Sequence, residues 1–356
     1  MTLAGISGTG LSNDSTTTQI LEVATITVSS SQAWRLNASG GLWIRSGNVQ
    51  LGGNTLSASG LGTGVATIDG ILSGSGGGLT KSGSFELILG GENTYTGLTT
   101  VSDGVVSFSG AGRLGSGGAL LLGGILEVDG DSRLGTSGGV TFNGGSLVLS
   151  GNLTTSRSVG LTGAGTLNTA GFNAAWSGAV TGAGTLIKDG AGTLSLNSAS
   201  SFGELKIQSG TVALGADVTL TTGLTLAGGT VRTGDRVILG GGQLRLTASS
   251  VLDLGAGGTP TVFNFGSAVR TGGRLTIENW TGTYLGGTGD RIFIAASPNA
   301  DFLAHVDFDG FASGAAWLGS GELVPVPEPG KVATFGLMLL GAVPVAVRRW
   351  KGRGIA

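Results

Sequence analysis

The side chains able to carry chemistry are few and scattered. One histidine, His305, stands among Asp301, Asp307 and Asp309, and Asp307-Phe308-Asp309-Gly310 has part of the look of a calcium loop. EF-hand spacing would demand an acidic residue at position 305 and a bidentate glutamate beyond, and neither is present. Gly286-Gly287-Thr288-Gly289-Asp290 has the glycine pattern of a calcium-binding nonapeptide, but such sites need repetition and it occurs once. Asp129-Gly130-Asp131 reads as a turn, and the glycine string at 74–78 lacks the Lys-Ser/Thr that completes a phosphate loop. No Gly-x-Ser-x-Gly elbow sits at a strand-to-helix junction. The chain has no cysteine, which excludes disulfides and thiolate metal sites. No catalytic, cofactor-binding or metal-ligating residue is therefore assigned.

The elements that would have to position any site are short strands. Gly90–Gly115 carries Thr99–Val101, a turn at Ser102-Asp103-Gly104, and Val105–Phe108, with glycine closing each piece. Between Thr211 and Leu254, inward candidates fall at Val212/Leu214, Val218/Leu220, Leu224/Leu226, Val231, Val237/Leu239, Leu244/Leu246 and Leu252/Leu254. Every third position marks a full coil, 19 residues from Val212 to Val231 and 21 from Val231 to Leu252. Three strands per turn of about twenty residues is the geometry of a triangular parallel β-helix. About twelve such coils fit between residues 20 and 260, a rod of roughly 55–60 Å at the inter-strand spacing. Glycine contributes 73 of 356 residues and charged residues only 11%, and low charge with positive mean hydropathy opposes disorder. Residues 1–330 carry a net charge of −7 and the last 26 carry +5. An acidic body is a poor match for nucleic acid.

A degenerate internal copy supports the coil reading. Lys81-Ser82-Gly83-Ser84-Phe85-Glu86-Leu87 aligns with Lys188-Asp189-Gly190-Ala191-Gly192-Thr193-Leu194, and each lysine precedes a turn glycine, Gly104 or Gly210, by 23 or 22 residues. The first copy, with Leu79, Lys81, Gly83, Leu87, Asn93, Thr94, Tyr95, Gly97, Thr99, Val101 and Gly104, resembles the autotransporter-associated β-strand repeat. It departs from that pattern at Phe85, where a small residue is usual. The second copy keeps Leu186, Lys188, Gly190, Gly192 and Leu194 and loses the Asn-Thr-Tyr half. The resemblance covers residues 78–115 and 184–215. It implies an all-β, right-handed parallel β-helix on a surface or secreted protein.

Such helices also host polysaccharide lyases and hydrolases, the alternative reading. Those reactions need paired carboxylates, or acidic calcium ligands beside Lys and Arg, on one face. The acidic residues here are mostly single and placed at turns: Asp69, Asp103, Asp189, Asp217 and Asp235. Coil spacing lets Asp217 and Asp235 stack on adjacent turns, and Arg232 and Arg245 less well. That is a thin basis for an enzyme.

Composition shifts at the C-terminal end. Nine aromatic residues between Pro260 and Leu323 predict an aromatic-rich cap, and a sugar-binding platform is the sharper reading of the same residues. The expected divisions are a β-helix over 1–260, the cap over 261–324, and a final segment over 325–353. That segment has a proline-stiffened linker ending in Pro327-Glu328-Pro329, an apolar stretch at 332–347 expected to form a hydrophobic helix, and a cluster with Arg348, Arg349, Lys351 and Arg353. The cluster would stay on the cytoplasmic side, leaving the body outside. Residues 326–353 resemble the PEP-CTERM sorting tail. The resemblance implies recognition by an exosortase-type enzyme near Pro327, Glu328 and Pro329, transient inner-membrane anchoring through 332–347, and a link to exopolysaccharide. The opening residues lack the basic and apolar regions of a leader, so an in-frame leader encoded upstream of Met1 is expected. The sequence reads as an exported, non-enzymatic structural or adhesive protein of the cell surface or extracellular matrix. No cofactor and no nucleic-acid partner is expected.

Overall fold

The computed structural model describes residues 1–327, apart from 4–7, 46, 235–236 and 258. They form an all-β, parallel solenoid of about 13 turns with almost no helix. At ~4.8 Å per turn the stack is roughly 60 Å long.

Three ladders run along it. The first passes through Thr9–Asn13, Gln32–Leu36, Thr55–Ser59, Gly78–Lys81 and Thr99–Val101, and continues coil by coil to Arg291–Ile294. The second runs from Gln19–Leu21 through Leu42–Ile44, Val65–Ile68, Glu86–Leu89 and Val105–Phe108 to Ser267–Arg270. The third begins with Thr2–Leu3, Thr25–Val28, Asn48–Gln50 and Ile71–Ser73, and resumes at Leu153–Thr155. Between residues 74 and 152 it has no strand and is carried by turns. In Val180–Asp189, Ser200–Ile207 and Val218–Leu226 the first two faces merge into one long strand with a register shift, so the corner is turned without breaking the strand.

The expected inward register holds at every named pair but Val237/Leu239, where the ladder is shifted by one residue: Ile238 is the register partner of buried Val218 and Phe263, while Val237 and Leu239 pair with the half-buried Val262, Thr219 and Asn264. Val212 pairs with Val231, which pairs with Leu252, and all three are fully buried. The same column extends back to Leu194 and forward to Ile277 and Phe308. Alternation of buried and half-buried residues along most strands, as in Thr25–Val28 and Ile125–Val128, follows from side chains pointing to opposite faces of the sheet. One continuous apolar core results, reaching from Leu3 to Leu323.

Parallel pairing continues past residue 260, through Val262–Phe265, Leu275–Glu278, Arg291–Ile294 and Val306–Phe308, so the expected boundary at 260/261 falls inside unbroken ladders. The stack ends where Ala312–Trp317 and Glu322–Val326 pair antiparallel, the latter also lying antiparallel on Arg291–Ile294. This hairpin covers the end of the first ladder, the device that blunts an open edge. Aromatic residues pack beside it: Trp280 lies 5.2 Å from Phe308 and 5.4 Å from Phe311, both edge-on, and Tyr284 meets Phe311 at 5.6 Å. The helix expected over 332–347 lies outside the described residues. Among those described, no helix is long and apolar enough to cross a membrane.

Truncating a ladder member should leave a cavity that close-packed neighbours cannot fill. Leu252→Ala is expected to cost about 2–5 kcal/mol in urea unfolding. Leu61→Ser, at a side chain 89% exposed, should stay within about 0.5 kcal/mol of the parent. Equal effects of the two substitutions would contradict the register.

Candidate functional site

The side chains shared by the two repeat copies are directed inward and hold corners. Lys81 and Lys188 are fully buried. Lys81 Nζ donates to the carbonyl of Gly83 at 2.5 Å and to that of Asp103, one coil on, at 3.2 Å. Lys188 Nζ donates to Asp189 and Gly190 at 2.9 and 2.6 Å and to Ser209 at 3.3 Å. Each ammonium thus ties its own turn to the next one. The turn glycines 22–23 residues later are required there for space as well as for conformation. Gly104 has φ +65° and Gly210 φ +69°, and a Cβ would stand 2.6 Å from Lys81 Nζ or 2.7 Å from Lys188 Nζ. Phe85, the departure from the repeat pattern, has a function in the fold: its buried ring lies under the Lys81 ammonium, 3.9 Å from nitrogen to centroid. Lys188, facing Gly192 instead, has a third carbonyl in place of the ring. Burial pushes both lysines down to about 8, with Asp103 and Asp189 pulling the other way.

Asn93 and Tyr95 work where the third ladder lapses. The Asn93 side chain accepts from the Leu72 amide at 2.7 Å and donates to the Arg113 carbonyl at 2.6 Å, joining the coils on either side of its own. Tyr95 is buried with its hydroxyl 2.6 Å from Thr99 Oγ1. Sequence reasoning missed two more corner residues. Arg133 donates to Gly110 and Gly112 carbonyls and grips Asp129, and Arg157 donates to Gly135, Ser137 and Gly138 and grips Asp131. Their separation of 24 residues, close to one coil, was the available signal.

The candidate reactive groups do not converge. His305 Nδ1 lies 2.7 Å from the Asp301 carbonyl, while Asp301 pairs with Arg270 and Asp307 with Arg274. No group of three or more metal-ligating side chains occurs among the described residues. Arg232 binds Asp253 on the third face, whereas Arg245 lies on the second beside Gln243, so those two arginines are not brought together. Asp235 lies outside the described residues, as do Glu328, Pro329, Arg348 and Arg349. Pro327 is the last residue described. An open groove of about 460 Å³ on the second face holds Glu204, Lys206 and Arg245. Among the described residues it offers a single carboxylate, Glu204, which accepts from Thr185 and Thr225 at 3.2 and 2.5 Å.

What the rod does present is a row of hydroxyls. Outward residues on the first ladder run Ser57, Thr80, Thr100, Leu120, Thr141, Gly160, Thr181, Ser201 and Thr219 on successive coils, with no charge among them.

Residues 79–108 and 186–214 match the Passenger-associated-transport-repeat. Each match begins just ahead of a buried corner lysine and ends in the strand after the turn glycine. The chain is similar to that repeat over those two stretches, and the match carries the likeness to autotransporter-associated proteins. No curated protein and no solved structure matched the chain significantly.

Lysines with depressed folded values hold fewer protons than the unfolded chain between pH 8 and 10. Stability should therefore rise with pH across that window. Above pH 10 the buried Tyr95 phenol, pushed up by burial, opposes the gain. Urea midpoints measured from pH 7 to 10 should climb in the parent and flatten in Lys81→Met/Lys188→Met. The same slope in both would show that the corner ammoniums are not responsible.

Proposed function

We propose that this protein is an exported, non-enzymatic rod of the cell surface or extracellular matrix that binds polysaccharide or neighbouring cells through many weak contacts. The observation that carries the reading is the repeat-bearing parallel stack, whose charged groups are largely engaged in the fold and whose first face offers an uncharged hydroxyl row. Repeats of the passenger-associated type fit an exported or surface protein. Serial weak hydrogen bonds from one rigid rod add up to avidity without any single deep site.

In this reading the right-handed coil is delivered by a PEP-CTERM tail. About sixteen apolar residues at 332–347 reach most of the way across a ~30 Å hydrocarbon core at 1.5 Å each. Arg348 and Arg349 hold the C-terminus on the cytoplasmic side. Pro327, Glu328 and Pro329 then stand extended at the outer face, open to an exosortase-type enzyme. Removal of the tail frees the acidic body. Mass spectrometry of extracellular protein, expressed with a leader, should find a mature species ending before Lys331. An intact chain through Ala356 on released protein rules out the processing step, and alanines at 327–329 should trap the protein in the membrane.

The enzymatic alternative lacks support from the second-face groove, since glycoside hydrolysis uses two carboxyl groups and, among the described residues, Glu204 is the one carboxylate that lines it. Incubation with acidic and neutral polysaccharides should release no new reducing or unsaturated ends. Release abolished by Glu204→Gln, Asp217→Ala or Asp235→Ala would replace the structural reading with a catalytic one.

A further inference from the structure

We propose that a groove beside the C-terminal hairpin is a binding site for a neutral, unbranched polysaccharide segment. The inference rests on the matrix reading above and names where and what such a protein would hold. The groove measures about 490 Å³, within the ~300–1,000 Å³ of ordinary ligand sites. Its walls include Thr219, Gly241, Asn264, Phe265, Phe293 and Ser320, and among the described residues no charged side chain lines it.

Asn264 and Phe293 are register partners on adjacent coils, so an amide and an aromatic ring stand side by side on the outward surface. The Phe293 ring is half-buried, and the Arg291 guanidinium stacks over it at 5.2 Å without itself lining the groove. The Asn264 amide has no partner among the described residues, leaving one acceptor and two donors for a ligand. A pyranose ring has an apolar C–H face and a rim of hydroxyls. The first suits the phenyl ring and the second suits the amide and the Ser320 hydroxyl. Among the described lining residues no charged side chain is present to meet a uronate, and the Arg291 guanidinium is held over the Phe293 ring.

The floor is preformed. Phe265 is buried beneath the groove, Trp317 Nε1 donates to the Ile294 carbonyl at 2.9 Å, and Glu322–Val326 pairs with the strand bearing Phe293. Little ordering is then left for the ligand to impose, which favours binding by a few weak contacts. The groove opens at Thr219 onto the hydroxyl row, with Ser201 and Thr181 following at ~4.8 Å per coil. A bound chain is thereby aimed along the rod axis.

The test is isothermal titration of the full-length chain with cellohexaose, maltohexaose and mannohexaose, and with hexagalacturonate as the anionic counterpart. At least one neutral hexasaccharide should bind, and the anionic one more weakly. Phe293→Ala and Asn264→Ala should each weaken binding about tenfold with an unchanged thermal melt. Should Phe293→Ala disturb folding, Gly241→Trp provides the second test. A Cβ at 241 meets nothing within 4 Å, so the indole can occupy the groove without displacing the wall, and binding should be lost. Absence of binding to all three neutral sugars, preference for hexagalacturonate, or binding unaffected by all three variants overturns the proposal. None of these outcomes bears on export or tail removal, which the mass measurement decides separately.

Discussion

Every coil of this rod must hand its backbone hydrogen bonds to the coil above and below, because the strands run perpendicular to the stack and make no bonds within themselves. From that constraint follow the short strands, the apolar columns and the glycine content. A parallel ladder tolerates one residue geometry per position, so Val212, Val231 and Leu252 stack like on like. The difficulty lies at corners, where peptide groups turn out of the ladder and lose their partners. Burying an unpaired carbonyl costs about 1–3 kcal/mol, and each turn of the rod has three corners.

The cations resolve part of that difficulty. Lys81, Lys188, Arg133 and Arg157 all donate to turn carbonyls, and most of these lie on a neighbouring coil. A single ammonium or guanidinium satisfies two or three carbonyls at once, through stronger, charge-assisted hydrogen bonds than a neutral amide makes. Arg133 stands where the third ladder has no strand, Arg157 reaches back from just past its resumption to carbonyls of that stretch, and Asn93 performs the neutral version of the same task there. The lysines keep a cost, since the buried ammonium is less favoured than a solvated one. The ring of Phe85 or a third carbonyl offsets it. At these corners charge holds turns, with the carboxylates of Asp129 and Asp131 completing the arginine clamps.

The repeating parts of the fold were legible in the sequence because a ladder repeats its constraint. Period-2 alternation set the strands, and spacings of 19 and 21 residues set the coil, so the Val212 column could be read directly. Continuation of the ladders beyond Pro260 was harder to read. There coil length grows from 21 residues to 25 between Leu252 and Ile277 and 31 between Ile277 and Phe308, as insertions at corners lengthen loops without disturbing pairing. Lys81 and Lys188 were visible as a recurring pair, yet their role depended on a turn one coil away, which composition does not reveal. The same distance hid the Asn264–Phe293 juxtaposition, since 29 residues separate them in the chain.

The corner chemistry also shapes what the rod can recognise. With several of the basic groups drawn into turns, the outward row from Ser57 to Thr219 on the first face is left with hydroxyls and uncharged side chains rather than a field of one sign. Long-range steering of a charged polymer needs such a field. A neutral polymer needs only regularly spaced donors and acceptors, and a parallel stack supplies these at the period of its own backbone. The aromatic residues at the C-terminal end extend the argument: the end of a stack requires large apolar side chains to cover it, and Phe293, placed there by pairing, leaves one surface toward solvent beside Asn264. On the reading proposed above, closure of the fold and presentation of a sugar-binding surface draw on the same residues.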